Sequence, residues 1–318
     1  MEIMHDSLGQ SEAANLEAPL WSTQGGPMME RRSGVTPKEF YREYVAGNRP
    51  VILTDVISEW PALGKWTPEF FRERYGERRI DFMRGPVKQM QMGEFITQVL
   101  ASRPGNPAPY WTNNSLIQTF PELLDDLKPF PQHTAPNWAA RSYLHKGMQQ
   151  SLNRGSEVEL YIGGAGGAFP ILHWDGQSTH AFLMQIHGRK QYWAWGPDQS
   201  EFLYPRTADG FVNLSPLGDV ERPDFEKYPL FRKAKGCQFH LDPGEILFVP
   251  SRWWHTAKMT EPSITVSINT LNGPNWRHFS EDMTRTASRP ALLVKKAYMS
   301  GAWLMNELTD LLTGPFMG

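Results

Sequence analysis

The sequence has one cysteine, Cys237, among its 318 residues, so no internal disulfide can form. No run of Lys or Arg forms an obvious basic stripe, and with a net charge of −2 the chain lacks the electrostatic footprint of a nucleic-acid-binding protein. It also lacks the charged, apolar and small-residue segments that make up a secretory signal. We therefore expect a cytoplasmic protein without a nucleic-acid partner and without membrane association.

The chain does contain enough apolar material for a sizeable core, because 40% of its residues are hydrophobic and 12% are aromatic. Residues 1–28 show no apolar periodicity, and we expect a mobile N-terminal arm there. We expect a main domain over residues 29–274 and a helical segment over 275–318. Large apolar residues recur at roughly helical spacing over residues 290–312, and such a helix can pair two copies as a homodimer.

The first half of the main domain mixes helices with short strands. Thr36 and Thr67 each precede a proline, the arrangement of a capped helix that begins with proline. Short apolar runs at residues 50–54, 79–83 and 110–112 predict strands. These features predict N-terminal α/β elements.

The second half reads as all β, because short apolar runs alternate with turn signals. The predicted strands lie within a barrel core of about residues 157–270, at residues 157–162, 171–175, 180–186, 190–195, 238–241, 246–249, 254–259 and 264–270. Strands of this number and spacing can close a small jelly-roll barrel. The fold class is therefore mainly β with flanking helices.

Two segments interrupt this pattern. Residues 163–168 are rich in glycine but do not open a helix and carry no lysine, so we interpret them as a flexible lip of a pocket and not as a phosphate loop. Residues 197–236 are too long for a hairpin connection and predict a structured excursion near the site.

Three residues suggest a metal site. His173 and Asp175 are two apart, so on a strand their side chains leave the same face. A third ligand must come from a distant part of the chain, and His255, which follows Pro250 in a strand-like segment, is the natural candidate. Two histidines and one carboxylate leave one face of a metal open, which suits non-haem Fe(II) that also binds a co-substrate and O2.

Beyond the ligands, the chain resembles the JmjC-type, cupin-like oxygenases that use Fe(II) and 2-oxoglutarate, and within them the small hydroxylase branch. The resemblance covers roughly residues 30–275 and implies a double-stranded β-helix barrel. The motifs that carry it occur in the family's order: Arg49-Pro50-Val51, Trp60-Pro61, His173-Trp174-Asp175, Gly188-Arg189-Lys190, Pro243-Gly244-Glu245, Trp253-Trp254-His255 and Ser267-Ile268-Asn269.

The resemblance also implies roles for other residues. It places Lys190 against the distal carboxylate of 2-oxoglutarate, where the alternative is a solvated lysine at a strand end. It places the hydroxyl of Tyr110 on the co-substrate, although a core tyrosine is the alternative, and it places Asn269 beside the metal pocket. The chain departs from the family at His180, where an Asn is common, so we expect Ser178, Thr179 or His180 to make some co-substrate hydrogen bonds.

The implied reaction is hydroxylation of an unactivated carbon, coupled to conversion of 2-oxoglutarate to succinate and CO2. We expect the substrate to be a peptide or protein side chain, which predicts an open groove over His173. The alternatives are a small-molecule substrate in a closed cavity, demethylation of N-methyl-lysine, and a non-catalytic cupin that only binds a ligand.

Overall fold

The computed structural model describes residues 28–83, 85–141, 158–206, 212–285 and 288–314. The expected N-terminal arm lies outside the described residues except for Met28. The domain boundaries at residues 28 and 274 stay predictions. None of the described helices is long and apolar enough to cross a membrane.

Twelve β-strands occur in the described residues. They are β1 Arg31–Arg32, β2 Val51–Leu53, β3 Arg79–Asp81, β4 Gln89–Gln91, β5 Trp111–Ser115, β6 Glu159–Gly163, β7 His180–His187, β8 Lys190–Trp195, β9 Gly236–Leu241, β10 Ile246–Val249, β11 Trp254–Met259 and β12 Ser263–Thr270. Seven of them form one sheet in the order β1-β2-β10-β7-β12-β6-β5, and a smaller sheet has the order β11-β8-β9. The strands β3 and β4 form a separate pair.

The two larger sheets face each other as the walls of a jelly-roll barrel. Ala181 and Leu247 of the seven-stranded sheet share one apolar cluster with Tyr192, Ala194 and Phe239 of the three-stranded sheet. Apart from the parallel pair β1 and β2, the neighbouring strands in both sheets are antiparallel. The predicted fold class, mainly β with flanking helices around a double-stranded β-helix, is confirmed.

Both faces of the seven-stranded sheet are covered. Along β7 the side chains alternate, so Phe182 and Met184 join the core beneath the N-terminal helices while Ala181 faces the smaller sheet. A strand covered on both faces carries apolar residues on both faces, as β7 does in the consecutive run Ala181-Phe182-Leu183-Met184. The rigid sheet that results supports one side of the site.

Seven α-helices flank the barrel in the described residues: α1 Pro37–Phe40, α2 Ala62–Lys65, α3 Pro68–Tyr75, α4 Met92–Ala101, α5 Leu116–Thr119, α6 Gly273–Thr284 and α7 Arg289–Thr313. A single π-helical turn, Tyr41–Val45, extends α1. The predicted caps are present, because the hydroxyls of Thr36 and Thr67 accept the backbone N–H groups of Glu39 and Phe70. The predicted C-terminal helix is α7.

The predicted excursion over residues 197–236 is structured where it is described. Its 3₁₀ turns Pro197–Leu203 and Pro229–Lys233 pack on the outer face of the smaller sheet. Leu203 and Phe231 of these turns join Trp193, Trp195 and Trp254 in one buried cluster. These tryptophans therefore pack in the core and do not line the cavity.

Candidate active site

His173 lies in an extended segment and not in the predicted strand over residues 171–175. The segment makes only isolated bridges, in which His173 pairs with His255 on one side and with Leu214 on the other. Pro170 has no N–H group and cannot donate to a strand ladder, and before it Ala168 also makes only an isolated bridge, with Lys258. The strand prediction is wrong, but the extended backbone that it assumed is present.

The backbones of His173 and His255 are directly paired. The N–H of His173 donates to the carbonyl of His255 at 3.2 Å, and the N–H of His255 donates to the carbonyl of His173 at 2.7 Å. This pairing brings the two imidazole centroids to 4.5 Å. The excursion supports the same segment, because the N–H of Trp174 donates to the carbonyl of Asn213.

His173, Asp175 and His255 meet at one point. Each offers one ligand atom, and these atoms lie within 4.8 Å of one another, the one such cluster of His, Cys, Asp and Glu in the part of the chain that the structure describes. His255 Nε2 is 3.8 Å from Asp175 Oδ2. Burial raises the pKa of the Asp175 carboxyl above its usual value, while His255 and a hydrogen bond from Asn269 oppose the rise.

The two imidazoles are oriented for a metal. Nδ1 of His173 lies 2.9 Å from the carbonyl of Ile171, and Nδ1 of His255 lies 3.1 Å from the carbonyl of Trp253. A carbonyl oxygen can only accept, so Nδ1 carries the proton in both rings and Nε2 keeps its lone pair for a metal. Two Nε2 atoms and one carboxylate form the donor set that suits Fe(II) with an open face. The residues therefore fit this metal.

Lys190 and Tyr110 form a second, separate part of the cavity. Lys190 is 2% exposed, and its Nζ donates to the hydroxyl of Tyr110 at 2.9 Å. No carboxylate pairs with Lys190 in the described residues, and burial lowers its pKa to about 7. A buried ammonium beside a hydroxyl fits the distal carboxylate of 2-oxoglutarate.

Asn269 and Thr179 lie beside the metal cluster, because Asn269 donates a side-chain hydrogen bond to Asp175. Asn269 Nδ2 donates to the hydroxyl of Thr179 at 3.0 Å, and that hydroxyl in turn donates to the carbonyl of Gly176 at 3.2 Å. Both residues line the cavity. Ser178 and His180, the two alternatives to Thr179 as co-substrate contacts, do not line the cavity.

One cavity of about 830 Å³ contains all seven predicted site residues. It lies between the sheets and opens at exposed Met83 and Gln118. Its wall includes Tyr110, Asn113, Glu159, Tyr161, Phe169, His173, Asp175, Thr179, Leu183, Lys190, Tyr192, Asn213, Leu214, His255, Thr265, Ser267 and Asn269.

Sequence reasoning missed a polar cluster in this wall. Asn113 Nδ2 donates to the hydroxyl of Tyr161 at 2.7 Å and to Glu159 at 3.0 Å, and the Tyr161 hydroxyl donates to Glu159 at 2.6 Å. Glu159 and Tyr161 are two apart on β6, so the period of a strand places them on one face. The spacing of Glu159 and Tyr161 in the sequence could therefore have predicted that they lie together. Asn113 joins them from another strand with a left-handed backbone, at a φ of 57°, which the sequence does not indicate.

The interpretation of residues 163–168 as a flexible lip is wrong. None of these residues lines the cavity. A Cβ at Gly163 would lie 2.4 Å from Sδ of Met259, and one at Gly164 would lie 2.1 Å from Oγ of Ser102. Gly164 in addition has the backbone carbonyl oxygen of Val99 at 2.7 Å from such a Cβ, and a backbone atom cannot move aside as a side chain can.

Comparisons with known proteins agree with this architecture. A family model described as a cupin-like domain matches residues 37–271. The chain is 31% identical over 242 residues to lysine-specific demethylase 8 of Xenopus tropicalis, a match that covers 73% of this chain and 50% of that protein. It is 36% identical over 287 residues to HSPB1-associated protein 1 of Homo sapiens, covering 81% and 54% respectively.

A third relative is named for a different substrate residue, arginine. The chain is 26% identical over 272 residues to an arginine-specific demethylase of Arabidopsis thaliana, covering 74% of this chain and 55% of that protein. The chain thus spans about half the length of the curated relatives that it matches.

Proposed function

The chain belongs to the JmjC-type family of cupin-like domains, and on that premise we propose that it hydroxylates an unactivated carbon of a peptide or protein side chain. Members of this family use Fe(II), 2-oxoglutarate and O2. The observation that carries the proposal is that His173, Asp175 and His255 converge in the same cavity as the buried Lys190, which pairs with no carboxylate among the described residues.

When bound, Fe(II) with 2-oxoglutarate and O2 would supply the oxidising power for the overall change of the substrate C–H to C–OH, in which 2-oxoglutarate becomes succinate and CO2. His173, Asp175 and His255 hold the metal, and the carbonyls behind the two imidazoles keep each Nε2 deprotonated. Lys190 and Tyr110 hold the distal carboxylate and so fix the co-substrate's orientation.

The shape of the cavity supports a large substrate. The rim carries the exposed residues Met83, Gln118 and Gly176, so in the described part of the chain the cavity is open to solvent beside the metal site. A side chain that projects from a peptide can enter such an opening, whereas a free metabolite is better retained in an enclosed pocket. This favours the peptide substrate over the small-molecule alternative.

Demethylation is the second candidate. Two relatives are named as demethylases of lysine and of arginine. Hydroxylation of an N-methyl carbon gives an unstable product that releases formaldehyde, so the same residues serve both reactions. Only the position of the substrate carbon distinguishes them.

Succinate release from peptide pools and metabolite pools, followed by mass spectrometry of the product, tests the proposal. We expect a peptide that gains one oxygen atom in a reaction that His255→Ala abolishes. Formaldehyde with loss of a methyl group would establish the demethylase instead. Turnover of metabolites alone, or bound 2-oxoglutarate with no turnover in either pool, would overturn the proposal.

We also propose that α7 pairs two copies of the chain. Its outer surface exposes large apolar side chains: Leu293, Val294, Tyr298, Trp303, Leu304, Met305, Leu308, Leu311 and Leu312. Soluble monomers rarely expose contiguous apolar surface on this scale, and a symmetric pair covers the same patch on both copies. The cytoplasmic location stays a prediction.

A further inference from the structure

The backbone that leaves Asp175 is strained. Asp175 is followed by one 3₁₀ turn, Gly176–Ser178, in which Gln177 and Ser178 have φ values of 61° and 53°. Residues other than glycine rarely adopt this left-handed backbone conformation. Two consecutive residues retain it only when contacts with the surrounding structure hold them there. Ser178 is fully buried, so its contacts identify what holds the turn.

Four hydrogen bonds hold Ser178. Its hydroxyl donates to Oδ2 of Asp282 at 2.6 Å and accepts from Nε of Arg252 at 3.1 Å. Its carbonyl accepts from the hydroxyl of Ser251 at 2.7 Å and from Nδ2 of Asn275 at 3.1 Å. Two of these partners lie on α6, and the other two lie in the turn that precedes β11.

Arg252 links the same turn to both ligand segments. It lies three residues before His255 and itself has a φ of 64°. Its guanidinium carbon is 5.7 Å from the centre of the Trp174 ring. In the sequence, Trp174 is the residue between the ligands His173 and Asp175. Its Nη2 donates to Oε2 of Glu281 at 3.0 Å and is 3.6 Å from Oδ1 of Asp282. The two ligand segments are thus tied to each other and to α6.

We propose that Ser178, Arg252 and Asp282 form a clamp that fixes the separation of the Asp175 carboxylate and the His255 imidazole, and thereby sets the affinity of the site for its metal. The inference rests on the proposed metal site. None of the three residues lines the cavity, so they act by positioning and touch neither metal nor substrate. Asp282 is central because it binds both of the other members.

The physical reason is that a ligand bound through a loose loop must be ordered each time the metal binds. Asp175 lies outside the strands, since the segment before it makes only isolated bridges and the left-handed turn Gly176–Ser178 separates it from β7. The clamp supplies the rigidity that a strand would provide. Residues that orient metal ligands commonly change metal affinity by about 10- to 100-fold when they are substituted.

Anaerobic titration of the metal-free full chain with Co(II), followed by visible absorption, tests the clamp. We expect Ser178→Ala and Asp282→Ala to weaken Co(II) binding about tenfold or more and to alter the absorption bands. Asp282→Asn keeps an acceptor for Ser178 and should recover part of the affinity. At saturating metal, the KM for 2-oxoglutarate should stay within about twofold, because the Lys190 end of the cavity is untouched.

Arg285→Ala is the matched control, because Arg285 pairs with Asp282 but lies outside the clamp. It should bind Co(II) as the wild type does. The inference is wrong if folded Ser178→Ala binds Co(II) like the wild type, or if Arg285→Ala weakens binding equally. If Asp282→Ala does not fold, the Co(II) affinity of Ser178→Ala alone tests the inference. A wild type that binds no Co(II) would instead contradict the metal site itself.

Discussion

His173 and His255 exchange two backbone hydrogen bonds, at 3.2 and 2.7 Å, although they are far apart in the chain. Each also directs Nδ1 to a carbonyl two residues earlier in the chain, at Ile171 and Trp253. The backbone therefore fixes both the spacing and the protonation of the two rings before any metal is present. This is preorganisation of the kind that high-affinity metal sites require.

Co-substrate affinity should depend on pH through Lys190. Burial lowers its pKa from 10.5 to about 7, so the free protein loses this positive charge as pH rises through 7. The dianionic co-substrate binds the protonated form, so its Kd should rise about tenfold per unit between about pH 7 and pH 9. Calorimetry with Co(II) in place of Fe(II) measures this.

Lys190→Met is the control for that series. It should bind 2-oxoglutarate weakly, with little change of Kd over the same pH range, because it has no proton to lose at this position. A wild-type Kd that does not change with pH, or that falls as pH rises, would show that Lys190 does not carry the charge that binds the co-substrate.

Tyr110→Phe should raise the KM for 2-oxoglutarate about 5- to 10-fold, with little change of kcat. The substitution removes the hydroxyl that accepts from Lys190 Nζ at 2.9 Å, and one such hydrogen bond contributes about 1 kcal/mol. Tyr75→Phe, the same change in the N-terminal core, should leave the KM unchanged. Equal KM values for the two variants would show that the Tyr110 hydroxyl does not bind the co-substrate and that Tyr110 is a core tyrosine.

Gly188→Ala should destabilise the fold by about 2 kcal/mol or more. Gly188 lies in the turn between β7 and β8 with a φ of 66°, and a Cβ there would lie 1.9 Å from the carbonyl oxygen of Pro262. Urea unfolding measures the change. Gly64→Ala in α2 has open space around the new methyl group and should change stability by less than about 1 kcal/mol.

Introducing two negative charges on the outer surface of α7 should dissociate the proposed dimer into single chains. Leu304 and Leu308 are 51% and 44% exposed, so Leu304→Glu with Leu308→Glu should leave the fold intact and give the mass of one chain in light scattering. Leu230→Glu places one charge at another exposed leucine and should remain dimeric. A monomeric wild type would contradict the pairing.

Much of the barrel could be predicted because its strands end at residues with clear backbone preferences. The strands Lys190–Trp195 and Ile246–Val249 begin where predicted, two residues after glycines with positive φ, and Ile246–Val249 ends immediately before Pro250. Apolar alternation and turn residues are local signals. The three candidate metal ligands followed from the same signals together with the resemblance.

The rest depends on contacts between distant segments. The isolated bridge at His173 requires His255 and Leu214 on its two sides, and no local pattern records such a pairing. The glycines at 163 and 164 are explained by Met259 and Ser102, which approach from other elements. The positive φ values of Ser178 and Arg252 likewise depend on hydrogen bonds to α6, which comes later in the chain.

The visible charge-transfer band of the anaerobic complex with Fe(II) and 2-oxoglutarate tests the central claim most directly. We expect a band in the wild type, no band in Asp175→Ala, and a band in Lys190→Ala only at far higher 2-oxoglutarate concentration. Folded wild type that binds Fe(II) and 2-oxoglutarate without this band, or an unchanged band in Asp175→Ala, would contradict the site described for this chain.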